Sequence, residues 1–517
     1  PAASLVGNGG NASVTVTGEN SRWTNDGGIV IGETSNGVLT VSDGAEVSAE
    51  RIDLARTSGR LGILNVGAAA GAAAGAAGTL DVGSLVFGSG TGTLVFNHTS
   101  SDYLFAADIA GRGTITHLAG ETVLTGDNSG FTGTTAVNGG WLTLANDLGG
   151  PVVVGEDGQL TVDGGGVSGA VSGSNNGIVN VQGGAAEILD GAEIVNSTTS
   201  HGNALVASGD ATVAISNSHL ESSGSSTTSG SPSAGVYARD RAEITIDGGS
   251  VKTTGDRGYA VRTAGGGRIT ATNVEITTGG VFGYGVQAFG GTAGQETTIS
   301  LAGGSITTTN TGYAPAVQST GIGALVSIAG HEDTGVFTIT TAGTESAGVA
   351  VDRGGRAELE DVGIETAGVG ASGLRAYRWS GGEDATIDAA RVSIVTKGGY
   401  AAGVLVDNEG AGGTIVGGAV IDLTDTDIRT EGRWSHGAHA LGATDGGANR
   451  ISLTGGSITT ANEQGRFTQN GDGSRAYALF AEGAGAEIEA TGTDIRTYGQ
   501  RAYGAYATGG GTVTLDD

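Results

Sequence analysis

The side chains in this chain that could do chemistry include two histidines three residues apart. His436 and His439 belong to a sequence of 517 residues with seven histidines and no cysteine. Without cysteine, a zinc site would need histidine and carboxylate ligands alone, and no H-E-x-x-H motif occurs. Because tyrosine takes the place of His436 in other repeats, the pattern favours an aromatic stack for His436 and a solvent-facing His439. A metal pair is the less favoured alternative, and we expect no cofactor.

Carboxylates could also do chemistry, and their densest group is Asp422, Asp425 and Asp427. A glycoside-cleaving enzyme or a calcium site would need such a cluster. Alignment with residues 244–251 places Asp425 and Asp427 in a turn, where Asp is a common turn former. Residues 126–130, G-D-N-S-G, do not form the G-x-S-x-G elbow of a serine nucleophile. We therefore expect no enzymatic activity, with a polysaccharide-degrading or other hydrolytic enzyme as the alternative.

Basic and aromatic side chains in inserted segments are better candidates for binding, because rigid scaffolds usually carry recognition on loops. Exposed Trp and Arg together suit stacking on a glycan or a protein hot spot. The group at 433–434 is expected two coils, ~10 Å, from the group at 375–379. The simpler alternative is that these aromatic side chains only cover turns. The predicted binding residues are Arg375, Tyr377, Arg378, Trp379, Arg433, Trp434, Arg466 and Phe467.

A repeated pattern predicts the scaffold that positions these side chains. From residue 205 onward, an apolar residue recurs with a hydroxyl residue two positions later, which is Thr in nine of ten repeats. Positions i and i+2 of a strand share one face, so both residues point to a common interior. The apolar members are Leu220, Val251, Ile276, Ile306, Ile339, Ile364, Ile394, Ile428, Ile458 and Ile495.

Two further apolar columns keep the same register. One lies seven residues before the first column in every repeat except the one that ends at Ile339. The other recurs at spacings of 25 to 41 residues. A minimum of 25 residues suits a coil of three short strands and three turns, with the surplus in inserted loops. The sequence therefore predicts an all-β fold, a parallel β-helix, in which each coil packs on the next.

Composition agrees with a solenoid and excludes several classes of partner. The chain has 102 Gly and only 5% aromatic residues, which suits a narrow core of Val, Ile, Ala and Thr. Its formal net charge of −29 disfavours nucleic acid and adsorption to anionic lipid. The absence of cysteine excludes disulfides, and no apolar run reaches 18 residues.

The first 150 residues carry a family resemblance. Residues 13–23, S-V-T-V-T-G-E-N-S-R-W, resemble the T-V-T-G-x-x-S-x-W repeat of bacterial autotransporter passengers. Residues 124–142, L-T-G-D-N-S-G-F-T-G-T-T-A-V-N-G-G-W-L, resemble their passenger-associated repeat. The resemblance, to classical autotransporter passengers of the pertactin-like and AIDA-like adhesins, implies a single long right-handed β-helix. It also implies export through the periplasm to the surface of a Gram-negative bacterium, with a missing C-terminal barrel as the membrane attachment.

These observations divide the chain into three segments. Residues 1–110 are expected to form N-terminal coils, with a flexible Ala/Gly loop at 67–78. Residues 111–150 contain the passenger-associated repeat, and residues 151–517 form regular three-strand coils that are truncated at the C-terminus. The resemblance implies an adhesin that binds a host surface protein or glycan, or the same protein on sister cells. An inert structural spacer is a further alternative.

Overall fold

A computed structural model describes residues 3–162, 166–167, 171–173, 179–182, 185–188, 193–197, 202–225, 233–290, 294–309, 312–378, 383–407, 418–443, 447–461, 475–498 and 502–517. These residues form strands and turns, so the all-β prediction is confirmed. The same residues contain no helix long and apolar enough to cross a membrane. The chain divides into two compact units, Pro1–Gly224 and Ser225–Asp517. Their boundary falls within the segment 151–517, where the repeats gave no sign of one.

The unit Pro1–Gly224 consists of strands that pair in parallel from coil to coil. Arg22–Ile31 pairs with Glu46–Leu54, which in turn pairs with Thr79–Phe87. The strands of this unit are Ser4–Val6, Ala12–Thr17, Arg22–Ile31, Gly37–Ser42, Glu46–Leu54, Leu61–Gly67, Thr79–Phe87, Thr91–Asn97, Tyr103–Phe105, Asp108–Gly111, Thr114–Ala119, Glu121–Leu124, Thr134–Leu144, Val152–Val162, Gly166–Val167, Val171–Gly173, Val179–Gln182, Ala185–Ile188, Glu193–Asn196, Leu205–Ser208, Thr212–Ser216 and His219–Ser222.

The repeat at residues 124–142 supplies interior residues of this unit. Asn128 is buried, accepts a hydrogen bond from the Ile109 amide at 3.0 Å and donates one to the Gly126 carbonyl at 2.8 Å. Its side chain thus satisfies backbone groups where the chain bends inside the coil. The fully buried apolar positions of the repeat are Leu124, Phe131, Val137 and Leu142.

The Ala/Gly run at 67–78 is tied to its neighbours by hydrogen bonds. The Asn97 side-chain amide donates to the carbonyls of Ala69 and Ala72, both at 3.0 Å. The Asp43 amide donates to the Ala76 carbonyl at 3.0 Å. The run is thus anchored at these positions, while residues 69–73 are exposed, and its flexibility stays a prediction.

The unit Ser225–Asp517 repeats three strands per coil, which stack into three parallel sheets. The first sheet contains Ala234–Arg239, Tyr259–Ala264, Tyr284–Phe289, Val317–Thr320, Val349–Asp352, Leu374–Tyr377, Val404–Asp407, Ala438–Leu441, Leu479–Glu482 and Ala505–Thr508. The second contains Glu243–Asp247, Arg268–Thr278, Thr297–Thr308, Ala324–Ala329, Arg356–Glu360, Ala385–Ala390, Ala419–Thr424, Asn449–Thr454, Ala486–Thr491 and Thr512–Asp516. The third contains Ser250–Thr253, Phe337–Thr341, Val362–Thr366, Ser393–Thr396, Asp427–Thr430, Ser457–Ala461 and Asp494–Tyr498, and it shares the long strands Arg268–Thr278 and Thr297–Thr308 with the second sheet.

The predicted columns are the interior of this unit. Val251 pairs with Ile276, and each later isoleucine of the third sheet pairs with the next, through to Ile495. In the repeat that lacks the seven-residue separation between the two columns, Val326 occupies the second column. The extra residues form a short excursion between strands, in which His331 and Gly335 make an antiparallel bridge. The inserted residues thus lie outside the regular coil, and the strand register of the β-helix is unchanged.

A column of small residues lets the first sheet approach the third sheet closely. A Cβ added at Gly403 would lie 2.2 Å from Cγ2 of Ile428, and one at Gly373 would lie 2.3 Å from Cγ2 of Ile394. These glycines precede the inward residue of the first sheet and turn the chain into it. In other coils the residue one position before such a small residue is aromatic, as at Tyr259, Tyr284 and His436.

Candidate binding face of the first sheet

Three predicted binding residues lie in or directly after the strand Leu374–Tyr377 of the first sheet. Arg375 donates from Nε and Nη2 to Oδ2 of Asp407 at 3.0 and 2.7 Å, and its guanidinium lies 4.9 Å from the Tyr377 ring. Arg378 forms an ion pair with Asp384 at 3.2 Å. The carboxylate in the next coil therefore balances the charge of Arg375, so this group is an ion-paired surface rather than a basic patch.

A second predicted group lies in the turn that precedes the first sheet. Trp434 has φ +61° and stacks on Tyr400 of the coil before, with ring centres 6.2 Å and planes 5° apart. The guanidinium groups of Arg433 and Arg475 lie 5.9 and 5.8 Å from the Trp434 ring. Tyr400 is 67% exposed and Trp434 is half-buried, so the stacked pair presents mainly the Tyr400 ring to solvent. We call Tyr400 and Trp434 the turn platform.

The other predicted residues do not extend the turn platform. Trp379, Arg466 and Phe467 lie outside the described residues. Arg375 and Tyr377 project from the strand Leu374–Tyr377 rather than from the turn.

His436 and His439 belong to an aromatic cluster on the outer face of the first sheet. His436 stacks on Tyr477 with ring centres 5.2 Å apart, as expected, and burial lowers its pKa to about 4. His439 does not face water, because Phe480 from the next coil covers it at 4.6 Å with nearly parallel rings. Burial and, to a smaller extent, nearby His436 together lower the pKa of His439 to about 3. Among the described residues, no group of three His, Cys, Asp or Glu could hold a metal ion.

The aspartate cluster differs from the prediction at one residue. Asp425 lies in the turn with φ +48°, as expected. Asp427 instead begins the strand Asp427–Thr430 and accepts a hydrogen bond from the Ser457 hydroxyl at 2.6 Å. Asp427 aligns with Ser250, which also begins a strand, so the turn ends one residue before Asp427.

A shallow groove of about 580 Å³ runs over the outer face of the second sheet. Its carboxylates come from successive coils, and Arg356 pairs with Glu358 at 2.9 Å and Asp388 at 3.0 Å. Asp422 is paired with Arg450 at 3.5 Å. Each of these three carboxylates thus has an arginine partner.

Sequence reasoning missed a polar chain that links coils of the first sheet. Gln287 Nε2 donates to Gln318 Oε1 at 2.7 Å, and Gln318 Nε2 donates to Asp352 Oδ2 at 3.0 Å. The Tyr377 hydroxyl donates to the same oxygen at 2.8 Å. Asp352 is buried although it points outward, because these neighbours cover it. The available signal was the residue after each inward Val, which reads Arg262, Gln287 and Gln318 in successive coils.

Buried histidines also occur in the first unit. The Nδ1 of His117 donates to the Gly139 carbonyl at 2.8 Å, so its neutral ring presents Nε2 as an acceptor to the Thr122 hydroxyl at 3.1 Å. The Nε2 of His98 lies 2.8 Å from the same hydroxyl and is the donor to it. Burial lowers the pKa of His117 to about 4, with a further contribution from His98. The hydrogen bond that His117 Nε2 accepts from Thr122 requires a neutral His117, whereas Nδ1 of His98 is buried without a partner.

Comparisons with known proteins give one short match. No protein-family model matches the chain, and no solved structure matches it. The chain is similar to the uncharacterized lipoprotein YdeK of Escherichia coli (strain K12), with 37% identity over 142 residues. That match covers 26% of this chain and 11% of the relative, so the chain spans only about a tenth of that protein's length.

Proposed function

We propose that this chain is the passenger part of a surface-displayed autotransporter and acts as an adhesin. It attaches the cell to a host surface protein or glycan, or to the same protein on sister cells. The repeats at residues 13–23 and 124–142 support the passenger assignment. The similarity to a protein named a lipoprotein supports a place in the cell envelope.

The turn platform is the observation that carries the binding role. Two parallel rings, held by a backbone turn and flanked by two guanidinium groups, offer an ordered aromatic surface at little cost in entropy. Such a surface suits the C–H face of a sugar or an apolar side chain of a protein. The repeated coils make the rigid support on which it stands.

The test compares binding by the full chain and by platform variants. Fluorescent beads coated with the protein are incubated with epithelial cells, a matrix-protein array, a glycan array and beads coated with the same protein. Trp434→Ala should lower binding about tenfold, because a central aromatic contact contributes roughly 1–2 kcal/mol or more. Trp141→Ala is the matched control, since Trp141 is 52% exposed but lies in the other unit.

Three results would contradict the proposal. Binding that is equal for Trp434→Ala and the unmodified chain would remove the role of the turn platform. No binding to any surface would favour a structural spacer. Release of products from glycans or peptides would favour the hydrolytic alternative.

A further inference from the structure

Arg262 is a buried cation without an anionic partner. Its side chain lies on the outer face of the first sheet and is only 8% exposed. The rings of Tyr259, Tyr237 and Phe289 lie 4.6, 5.4 and 5.7 Å from its guanidinium carbon. Within the described parts of the chain, no carboxylate or hydrogen-bond acceptor engages its guanidinium, and Nε is completely buried.

The aromatic rings do not replace the missing acceptors. A cation–π contact contributes about 0.5–2 kcal/mol, whereas removing an ion from water costs several kcal/mol, and each buried unmade hydrogen bond costs about 1–3 kcal/mol more. The terminal nitrogens of Arg262 also hold no hydrogen bond but are not sealed from solvent. The free donors therefore face the side from which a ligand could enter.

In the adjacent coil, an acceptor atom of Gln287 also lacks a partner and does not satisfy Arg262. Gln287 pairs in register with Arg262 in the adjacent coil and is only 6% exposed. The Asp352 carboxylate only accepts hydrogen bonds, so it fixes the amide of Gln318, which in turn fixes the amide of Gln287. That orientation leaves Oε1 of Gln287 buried and without a partner.

We propose that Arg262 and the surrounding rings form a subsite for one acidic sugar residue, a pyranose that carries a carboxylate or a sulfate. The anionic group accepts paired hydrogen bonds from the terminal nitrogens of Arg262, which are not sealed from solvent. Phe289, which is 42% exposed, borders the subsite and covers the C–H face of the sugar. This subsite names a ligand class for the proposed adhesive function and rests on that function.

Charge favours a single acidic sugar over a polyanion. Between residues 234 and 268 the chain carries six Lys or Arg and four Asp or Glu, within a protein of net charge −29. The local field therefore attracts one anionic group, while the rest of the surface repels a long anionic chain. A peptide is less suited, because both neighbouring strands already pair with Tyr259–Ala264 and leave no free edge there for strand addition.

The test measures binding of defined probes to the full chain by calorimetry at ~0.15 M salt, where exposed charges are screened. Sialyllactose presents a carboxylate, a sulfated galactose presents a sulfate, and lactose is the neutral reference. One acidic probe should bind about tenfold or more tightly than lactose, and the probe that does so identifies the anion. Arg262→Gln should remove the preference.

Arg268→Gln is the matched control, because Arg268 is exposed on the second sheet and its loss should change nothing. Phe289→Ala, at an exposed ring, keeps the test valid should Arg262→Gln not fold, and it should also weaken the acidic probe. Equal binding of all three sugars, an unchanged preference in the folded Arg262 variant, or binding of hexaglutamate peptide instead would overturn the subsite. If the unmodified chain adheres but shows no preference for an acidic sugar, only the subsite is contradicted. If the unmodified chain does not adhere at all, the proposed adhesin function is contradicted as well.

Discussion

Two threonines of the third sheet occupy equivalent interior positions but differ in their hydrogen bonds. Thr366 donates from its hydroxyl to the Ala371 carbonyl at 2.7 Å and so closes the turn that leads into the first sheet. Thr278 is also fully buried, but its hydroxyl has no partner. Substitution by Val keeps the shape of either side chain and removes only the hydroxyl. The pair therefore separates the effect of the hydrogen bond from the effect of packing.

The two substitutions should change stability in opposite directions. Thr366→Val leaves the Ala371 carbonyl without this donor and should cost about 1–3 kcal/mol. Thr278→Val removes a buried polar group without a partner and should stabilise by roughly 1–3 kcal/mol. The expected difference between the variants is about 2–6 kcal/mol, larger than the usual error of an extrapolated unfolding free energy. Thr430, which donates to the Ser435 carbonyl at 3.1 Å, should behave like Thr366.

Urea unfolding of the full chain, followed by far-ultraviolet circular dichroism, measures the effect. The unfolding midpoint should fall for Thr366→Val and rise for Thr278→Val. Amide hydrogen exchange near Ala371 should accelerate only in the Thr366 variant, which controls for coils that unfold separately in a solenoid. Equal shifts of both midpoints in the same direction would show that the threonine column stabilises by shape alone, and the reasoning from hydrogen bonds would be refuted.

Two further predictions concern burial. The low pKa of His117, about 4 against 6.5 in the unfolded chain, means that its contribution is complete above pH 6.5 and is lost as the pH falls towards 4, by at most about 3 kcal/mol. The His117→Gln variant should therefore lose less stability than the unmodified chain over that interval in urea titrations, and parallel pH profiles would contradict this. Gly403→Ala should destabilise by about 1–3 kcal/mol because its Cβ would lie 2.2 Å from Ile428, whereas Gly504→Ala, with 3.8 Å to Ile495, should be nearly neutral in the same assay.

The candidate binding surfaces were only partly predictable. Arg433 and Trp434 were singled out because Trp and Arg together suit recognition of a glycan or a protein, but their stacking with Tyr400 depends on two turns superimposing. Arg375 was chosen for the same reason, yet Asp407, 32 residues later, pairs with it. His439 was expected to face water because its strand position points outward, and Phe480 from the next coil covers that position. An outward direction is local information, whereas exposure depends on the neighbouring coils.

The sequence by itself determined the parallel strands, the inward columns and the places where extra residues leave the coil. These features follow from the alternation of faces along one strand and from repetition of the same apolar types, so they can be read within each repeat. Only the tertiary structure decided which outward side chains meet, because coils of unequal length bring together residues 25 to 41 positions apart. The polar chain from Gln287 to Asp352 and the unpaired guanidinium of Arg262 arise from that superposition.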